Sequence, residues 1–205
     1  TSIRSTQSHH KKGAVDWQIL SQWAPGIALG AVFGVALAAS LESVVLQLIF
    51  GSLGAVIGLY LAFGKESWAL ADGMPRGLWR WLLGPVLGGL SVLLGIGGGS
   101  LGVPFMSLHR VPIHRAVATA AGFGLAISIP SAVVWLFVQV DAPRLPWTFG
   151  AINLPAFFVI TPVTFIFAPI GATVAHRMDA KPLKRLFGAF LLIVAANMVS
   201  TALWA

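Results

Sequence analysis

The chain has 205 residues, 57% of them hydrophobic and only 9% charged, with 23 Gly, 12 Pro and a mean hydropathy of +0.87. A water-soluble globule carries about 25% charged residues to cover its surface, so this composition excludes one and leaves the bilayer as the solvent. The 13 basic side chains outnumber the 6 acidic ones, but they flank apolar segments, which reads as membrane-interface anchoring and not as a nucleic-acid surface. With no Cys there is no disulfide framework and no thiolate site, and nothing else in the sequence calls for a metal or a cofactor.

About 20 apolar residues cross a hydrocarbon core, and spaces of that size between clusters of charge predict an all-α polytopic protein with about six crossings. Residues 1–16 are polar and basic, which predicts a loop or tail. Apolar runs follow at about 19–39 and 44–63, the first interrupted by Pro25, Gly26, Gly30 and Gly34, with Glu42 at the turn between them. Lys65, Glu66, Asp72, Pro75 and Arg76 mark a polar connection. A third span is predicted over 78–95, and a fourth over 116–138 after the interfacial His109, Arg110, Pro112, His114 and Arg115. Beyond Asp141, Pro143, Arg144 and Pro146 a fifth apolar stretch runs over 147–175. Its Pro155, Pro162 and Pro169 each remove a backbone donor, so it is expected to be kinked or split near Pro162. A basic loop from His176 to Arg185 precedes the last span at 186–204. Trp17, Trp23, Trp68, Trp79, Trp81, Trp147 and Trp204 fall near predicted ends, where an indole sits half in water. If every segment crosses once, seven Lys and Arg fall on one side and six on the other, and the charge rule selects no orientation.

Shifting the chain by 137 positions aligns Gly13 with Gly150, Pro25 with Pro162, Gly34 with Gly171, Glu42 with Asp179, and Phe50-Gly51 with Phe187-Gly188. This ungapped register predicts an internal duplication. The expected organisation is 1–66 as the end of a first repeat, 67–77 as a connecting loop, and 78–205 as a second repeat of four spans. The third and fourth spans have no partner at this shift, which leads us to expect about 60–70 further residues ahead of Thr1, with two spans and a sister glycine-rich segment.

The most unusual segment is Gly95-Ile-Gly-Gly-Gly-Ser-Leu-Gly-Val-Pro104. Gly95, Gly97, Gly98 and Gly99 around Ser100, closed by Pro104, predict a helix break whose bare N–H groups face a cavity and coordinate an anion. Close helix packing is the competing reading, and it is preferred for the isolated Gly26, Gly30 and Gly34. Thr119, Ser128 and Ser131 can lend hydroxyls to a bound anion or bond back to carbonyls one turn earlier, and both readings stand. The segment lacks the preceding strand and following Lys of a phosphate loop. Ser100 has no His base in reach within a span, so a serine hydrolase is disfavoured and no catalytic residue is expected. No acidic residue, Lys, Arg or His lies mid-span in a predicted crossing, which disfavours a proton relay and a cation site. A small, partly dehydrated oxyanion suits such a cavity. Arg110 and Arg115 then serve either as mouth residues that concentrate anions or as plain interface anchors.

These residues resemble the sulfite exporter TauE/SafE family of bacterial membrane transporters. The resemblance rests on Gly95-x-Gly-Gly-Gly, Val103-Pro104, Ala118-Thr119, Gly171-Ala-x-x-Ala-His-Arg and Lys184-Arg-Leu-Phe-Gly. It departs where Thr119-Ala120 stands for the usual Thr-Ser and where the first repeat's glycine motif is missing. It implies a duplicated four-span unit in the bacterial inner membrane that moves sulfite or organosulfonate-type anions, usually outward. A non-transporting membrane scaffold is the alternative.

Overall fold

A computed structural model describes residues 2–64, 69–95, 98–138 and 146–204. The expectations placed on Lys65, Glu66, Trp68, Gly97, Asp141, Pro143 and Arg144, and on the Ser100 side chain, lie outside what it describes. Eight helices occur among the described residues: α1 (Ser2–Lys11), α2 (Trp17–Ser40), α3 (Ser43–Phe63), α4 (Leu78–Leu93), α5 (Gly99–Leu108), α6 (Ile113–Phe137), α7 (Leu154–Arg177) and α8 (Ala180–Leu203). Between α6 and α7, β1 (Thr148–Phe149) and β2 (Ile152–Asn153) pair antiparallel, turning at Gly150 with φ +56°. Five helices, α2, α3, α6, α7 and α8, are long and apolar enough to cross a membrane, and α4 is a shorter apolar helix.

The predicted tail is a helix. In α1 the basic His9, His10 and Lys11 occupy the last turn, where they favour the helix dipole, and Thr6 and His9 are buried as the helix packs on α6 and α7. Arg4 thereby sits against the middle of α7, its guanidinium 4.8 Å from the Phe165 ring, on a helix that is not one of the five long apolar ones. The fifth apolar stretch starts its helix later than expected and is not split. Its helix begins at Leu154, where the Asn153 side chain accepts from the Ala156 amide at 2.9 Å. Pro155 occupies the first turn, where the missing donor costs nothing, and α7 continues unbroken through Pro162 and Pro169. Trp23 is no interfacial indole: it is 1% exposed and packs edge-on against Phe105, ring centroids 5.2 Å apart.

Glycines set the packing. A Cβ on Gly26 would meet Pro85 and Gly84 at 3.4–3.5 Å, one on Gly30 would strike the Pro85 backbone, and one on Gly34 would lie 2.8 Å from Gly89. Rising numbers on both helices mean that α2 and α4 run parallel at backbone contact, the packing expected of these three glycines. Gly51 against Val199, Gly58 against Leu192 and Gly188 against Ala62 make α3 and α8 antiparallel. The core gathers where α2, α5 and α6 meet, around Trp23, Ile27, Met106 and Phe123. At the 137-residue shift, both ends of α2 fall on those of α7, the N-caps Asp16 and Asn153 coincide, and so do the N-caps Glu42 and Asp179.

Candidate functional site

The glycine-rich segment bends the chain back on itself. Helix α4 closes at Leu94, and Gly95 takes φ +61°, a left-handed conformation that costs a glycine little, with its amide bonded to Val92 O at 2.9 Å. Gly98 is the N-cap of α5 with helical dihedrals, and α5 already includes Gly99, Ser100 and Pro104. Gly98 and Gly99 thus take helical backbone where non-helical backbone was expected, and Pro104 lies inside a helix instead of closing a break. Helix α5 descends antiparallel to α6: a Cβ on Gly98 would lie 2.6 Å from Gly124 N, and one on Gly102 would lie 2.9 Å from the Phe123 ring. The crevice that Gly98 and Gly102 share with Ile27, Ser91, Phe123 and Ile127 has no room for a water-sized sphere. Gly98 thus packs on α6.

Both ends of this hairpin reach the same place. The Leu70 amide donates to Leu108 O at 2.7 Å, and Arg110 Nε pairs with Asp72 Oδ1 at 2.7 Å. A 16-residue α4 rises about 24 Å, short of the roughly 30 Å of a hydrocarbon core. The hairpin enters the bundle and returns to the face it left, and the expected third crossing is replaced by this re-entrant pair.

At that face a pocket of about 340 Å³ opens between the start of α2, residues 72–76, the end of α5 and the start of α6. It brings together Arg76, Arg110 and Arg115 with Asp16, Asp72, Gln18, Gln22 and His109. Asp16 is its hinge. One carboxylate oxygen caps α2 by accepting from the Ile19 amide at 3.0 Å, the other lies 3.5 Å from Arg115 Nη1, and the Asp16 amide donates to Thr119 Oγ1 at 2.9 Å. Thr119 is fully buried, and its hydroxyl holds α2 to α6. His109 is 5% exposed; Nδ1 lies 2.7 Å from Phe105 O, and because a carbonyl only accepts, Nδ1 carries the proton. Arg110 takes φ +59° where α5 ends, the position a glycine usually fills; the Val111 amide reaches back to Met106 O at 3.0 Å to complete the cap. The strain is retained at a residue whose charge faces the pocket. Of the hydroxyl candidates, Ser128 is exposed, while Ser131 is buried with no partner for its Oγ among the described residues.

The sequence reading picked out Arg110, Arg115 and Thr119 but missed Asp16, Asp72 and Arg76 as their neighbours, since those contacts join positions tens of residues apart. It also missed Arg4. Seven residues before Lys11, Arg4 lies about 10 Å up α1 from that end, level with the middle of α7, with its Nε buried and unpartnered among the described residues. Thr6 Oγ1, on the same helix and 5% exposed, is likewise unpartnered.

The cations share one face. Helices α2 and α4 run parallel, and Asp16 ties the start of α2 to that of α6. One apolar cavity joins His9, Leu61, Ile113, Ala175 and Leu183, which belong to the ends of α1, α3, α6, α7 and α8. Lys11, Lys12, Arg76, Arg80, Arg110, Arg115, Arg177, Lys181, Lys184 and Arg185 all lie at or beside these ends.

The sequence profile of the family described as sulfite exporter TauE/SafE matches residues 1–198. The chain is 28% identical over 199 residues to a probable membrane transporter protein of Haemophilus influenzae, covering 97% of this chain and 75% of that one. It is 22% identical over 159 residues to a probable membrane transporter protein of Methanocaldococcus jannaschii, covering 78% of this chain and 59% of that one. No solved structure matches. With five spans, a re-entrant glycine hairpin and a match along nearly its whole length, the chain belongs to the sulfite exporter TauE/SafE family of multi-pass membrane transporters and is not an enzyme.

Proposed function

We propose that the protein moves small sulfur oxyanions of the sulfite or organosulfonate class outward across a bacterial cell membrane, and that the basic face is cytoplasmic. The reading is carried by Arg4, whose guanidinium lies over the Phe165 ring midway along α7 with its Nε buried and unpartnered among the described residues. An arginine at the bilayer centre costs about 2.5–3.5 kcal/mol on insertion scales, so a cation kept there marks a site. Its planar fork matches two oxygens of an oxyanion. The pocket of Arg76, Arg110 and Arg115 lies on the approach. There an anion competes with Asp72 and Asp16 for exposed guanidinium groups, and a concentrated positive potential raises its local concentration. Gly95, Gly98 and Gly99 then act by allowing the hairpin to turn and pack, while Thr119 sets the α2–α6 contact behind the pocket.

The matching ends of α2 and α7, and their matching caps, support a duplicated unit with 78–205 as the second copy. In that reading α1 stands to α7 as α6 stands to α2, since α1 packs on α7 and α6 packs on α2.

The test is efflux of sulfite and of taurine from loaded proteoliposomes. Arg4→Gln is expected to lower the rate by at least about tenfold, the loss of one charge-assisted contact, and Arg4→Lys to restore part of it. Undiminished efflux with Arg4→Gln would remove Arg4 from the pathway. A wild-type protein that carries neither anion would overturn the substrate assignment.

A further inference from the structure

A second basic pocket lies away from the first, between the end of α3 and the start of α8. It measures about 570 Å³ and is lined by Lys181, Lys184 and Arg185 on one side and by Leu61, Phe63 and Gly64 on the other. Its charges are poorly placed for an isolated helix. All three sit at the start of α8, where the positive end of the dipole opposes them, and Lys181 stands three and four residues from two like charges. No acidic side chain among the described residues pairs with any of them, and Asp179 at the N-cap makes no cap bond. Among the described residues the site is therefore three cations without an ion-pair partner around a space large enough for a headgroup.

An apolar cavity of about 290 Å³ adjoins it and shares Leu61 and Lys184 with it. Val103, Val117, Ala121 and Phe187 contribute to its wall. Lys184 is half-buried and borders both spaces, as a side chain with an apolar stem and a charged tip can. A free phosphate or sulfite would answer the charges but leave the apolar cavity unfilled. An amphiphile with an anionic head answers both.

We propose that this two-part pocket binds an anionic phospholipid, with the headgroup phosphate on Lys181, Lys184 and Arg185 and one acyl chain in the cavity between α3, α6 and α8. Basic pockets between spans on the cytoplasmic side are suited to such lipids, whose charge is concentrated in that leaflet. The bound chain would wedge against α3 and α8 on one side and α6 on the other, filling space that side chains leave open.

The test uses the purified full chain in nanodiscs of phosphatidylglycerol or of phosphatidylcholine, with native mass spectrometry for retained lipid and a thermal melt for stability. Phosphatidylglycerol is expected to be retained preferentially and to raise the melting temperature. The triple variant K181Q/K184Q/R185Q, at mostly exposed positions, should lose that preference by at least about tenfold while melting normally in phosphatidylcholine. Val117→Phe, which fills the apolar cavity, should weaken retention with all three cations intact. Equal retention of both lipids by the wild type, or an unchanged preference in the triple variant, would overturn the assignment. So would inorganic phosphate stabilising the protein in phosphatidylcholine as strongly as phosphatidylglycerol does, because the site would then be one for small anions.

Discussion

Gly98→Ala separates packing from ligand binding at the glycine-rich turn. The added Cβ would fall 2.6 Å from Gly124 N and 2.7 Å from the carbonyl carbon and Cβ of Phe123, atoms fixed to the α6 backbone with no rotamer by which to retreat. Ordinary carbon contacts begin near 3.5 Å, so α5 and α6 must part by somewhat less than about 1 Å along a seam where Gly102 already meets the Phe123 ring. Overpacking of that kind costs about 1–3 kcal/mol. At roughly 2–4 °C per kcal/mol for a chain of this size, the melting temperature should fall by several degrees. Gly171→Ala is the control: its helical backbone has nothing within 4 Å of a new Cβ, so the change should be neutral or stabilising by up to about 1 kcal/mol. Melts in detergent and anion efflux, read on one preparation below both transitions, give the two quantities. The expected result is a lowered melt with efflux per folded molecule retained, and with Gly98→Leu the yield itself should collapse. A Gly98→Ala protein that melts like the wild type would refute the packing argument, and if its efflux were also lost the glycine would return to the binding site.

Arg110→Gly should raise stability by about 1 kcal/mol, because it removes a left-handed non-glycine residue and gives up only an exposed ion pair, yet it should slow anion uptake; a melt and an efflux rate check the two signs. Thr119→Val leaves the Asp16 amide without its acceptor and should cost about 1–3 kcal/mol in the melt, with Thr119→Ser keeping most of the stability. Because the chain has no Cys, single replacements report sidedness without background. Lys181→Cys should react with an impermeant maleimide only in opened cells and Thr148→Cys in intact ones, and the reverse pattern would invert the proposed orientation.

Five spans were legible because twenty apolar residues between charges leave a chain few choices. The packing role of Gly26, Gly30 and Gly34 was legible for a similar reason, since small residues four apart form a groove on one helix face. Helix α1 was not: its buried positions are Thr6 and His9, with Arg4 against α7, so no apolar period announces it, and its burial depends on neighbours more than 100 residues away. Pro155 misled by composition alone, since the same ring that breaks a helix interior is comfortable in a first turn. At the mouth, Arg110 and Arg115 declared themselves by their interfacial position, whereas Asp72 and Asp16 joined them only through the fold.

The re-entrant hairpin changes the meaning of the charge pattern. Counted on six simple crossings, the basic residues divide almost evenly, which no polytopic protein with a strong orientation signal should show. Once α4 and α5 return to the face they left, every later segment reverses. The cations from Arg110 to Arg185 then join Lys11, Lys12, Arg76 and Arg80 on one face, among the described residues. The bend itself turns at Gly95, and the hairpin's two ends meet at the Leu70–Leu108 hydrogen bond and the exposed Arg110–Asp72 pair. A few residues near the glycine motif therefore decide where the charge of the whole chain lies. A negative substrate approaching from that side meets the full positive field, whereas one approaching from the other side does not. With the basic face on the cytoplasmic side, as proposed, capture by such a field favours outward movement of an anion, which would tie the placement of the lysines and arginines to transport as well as to insertion.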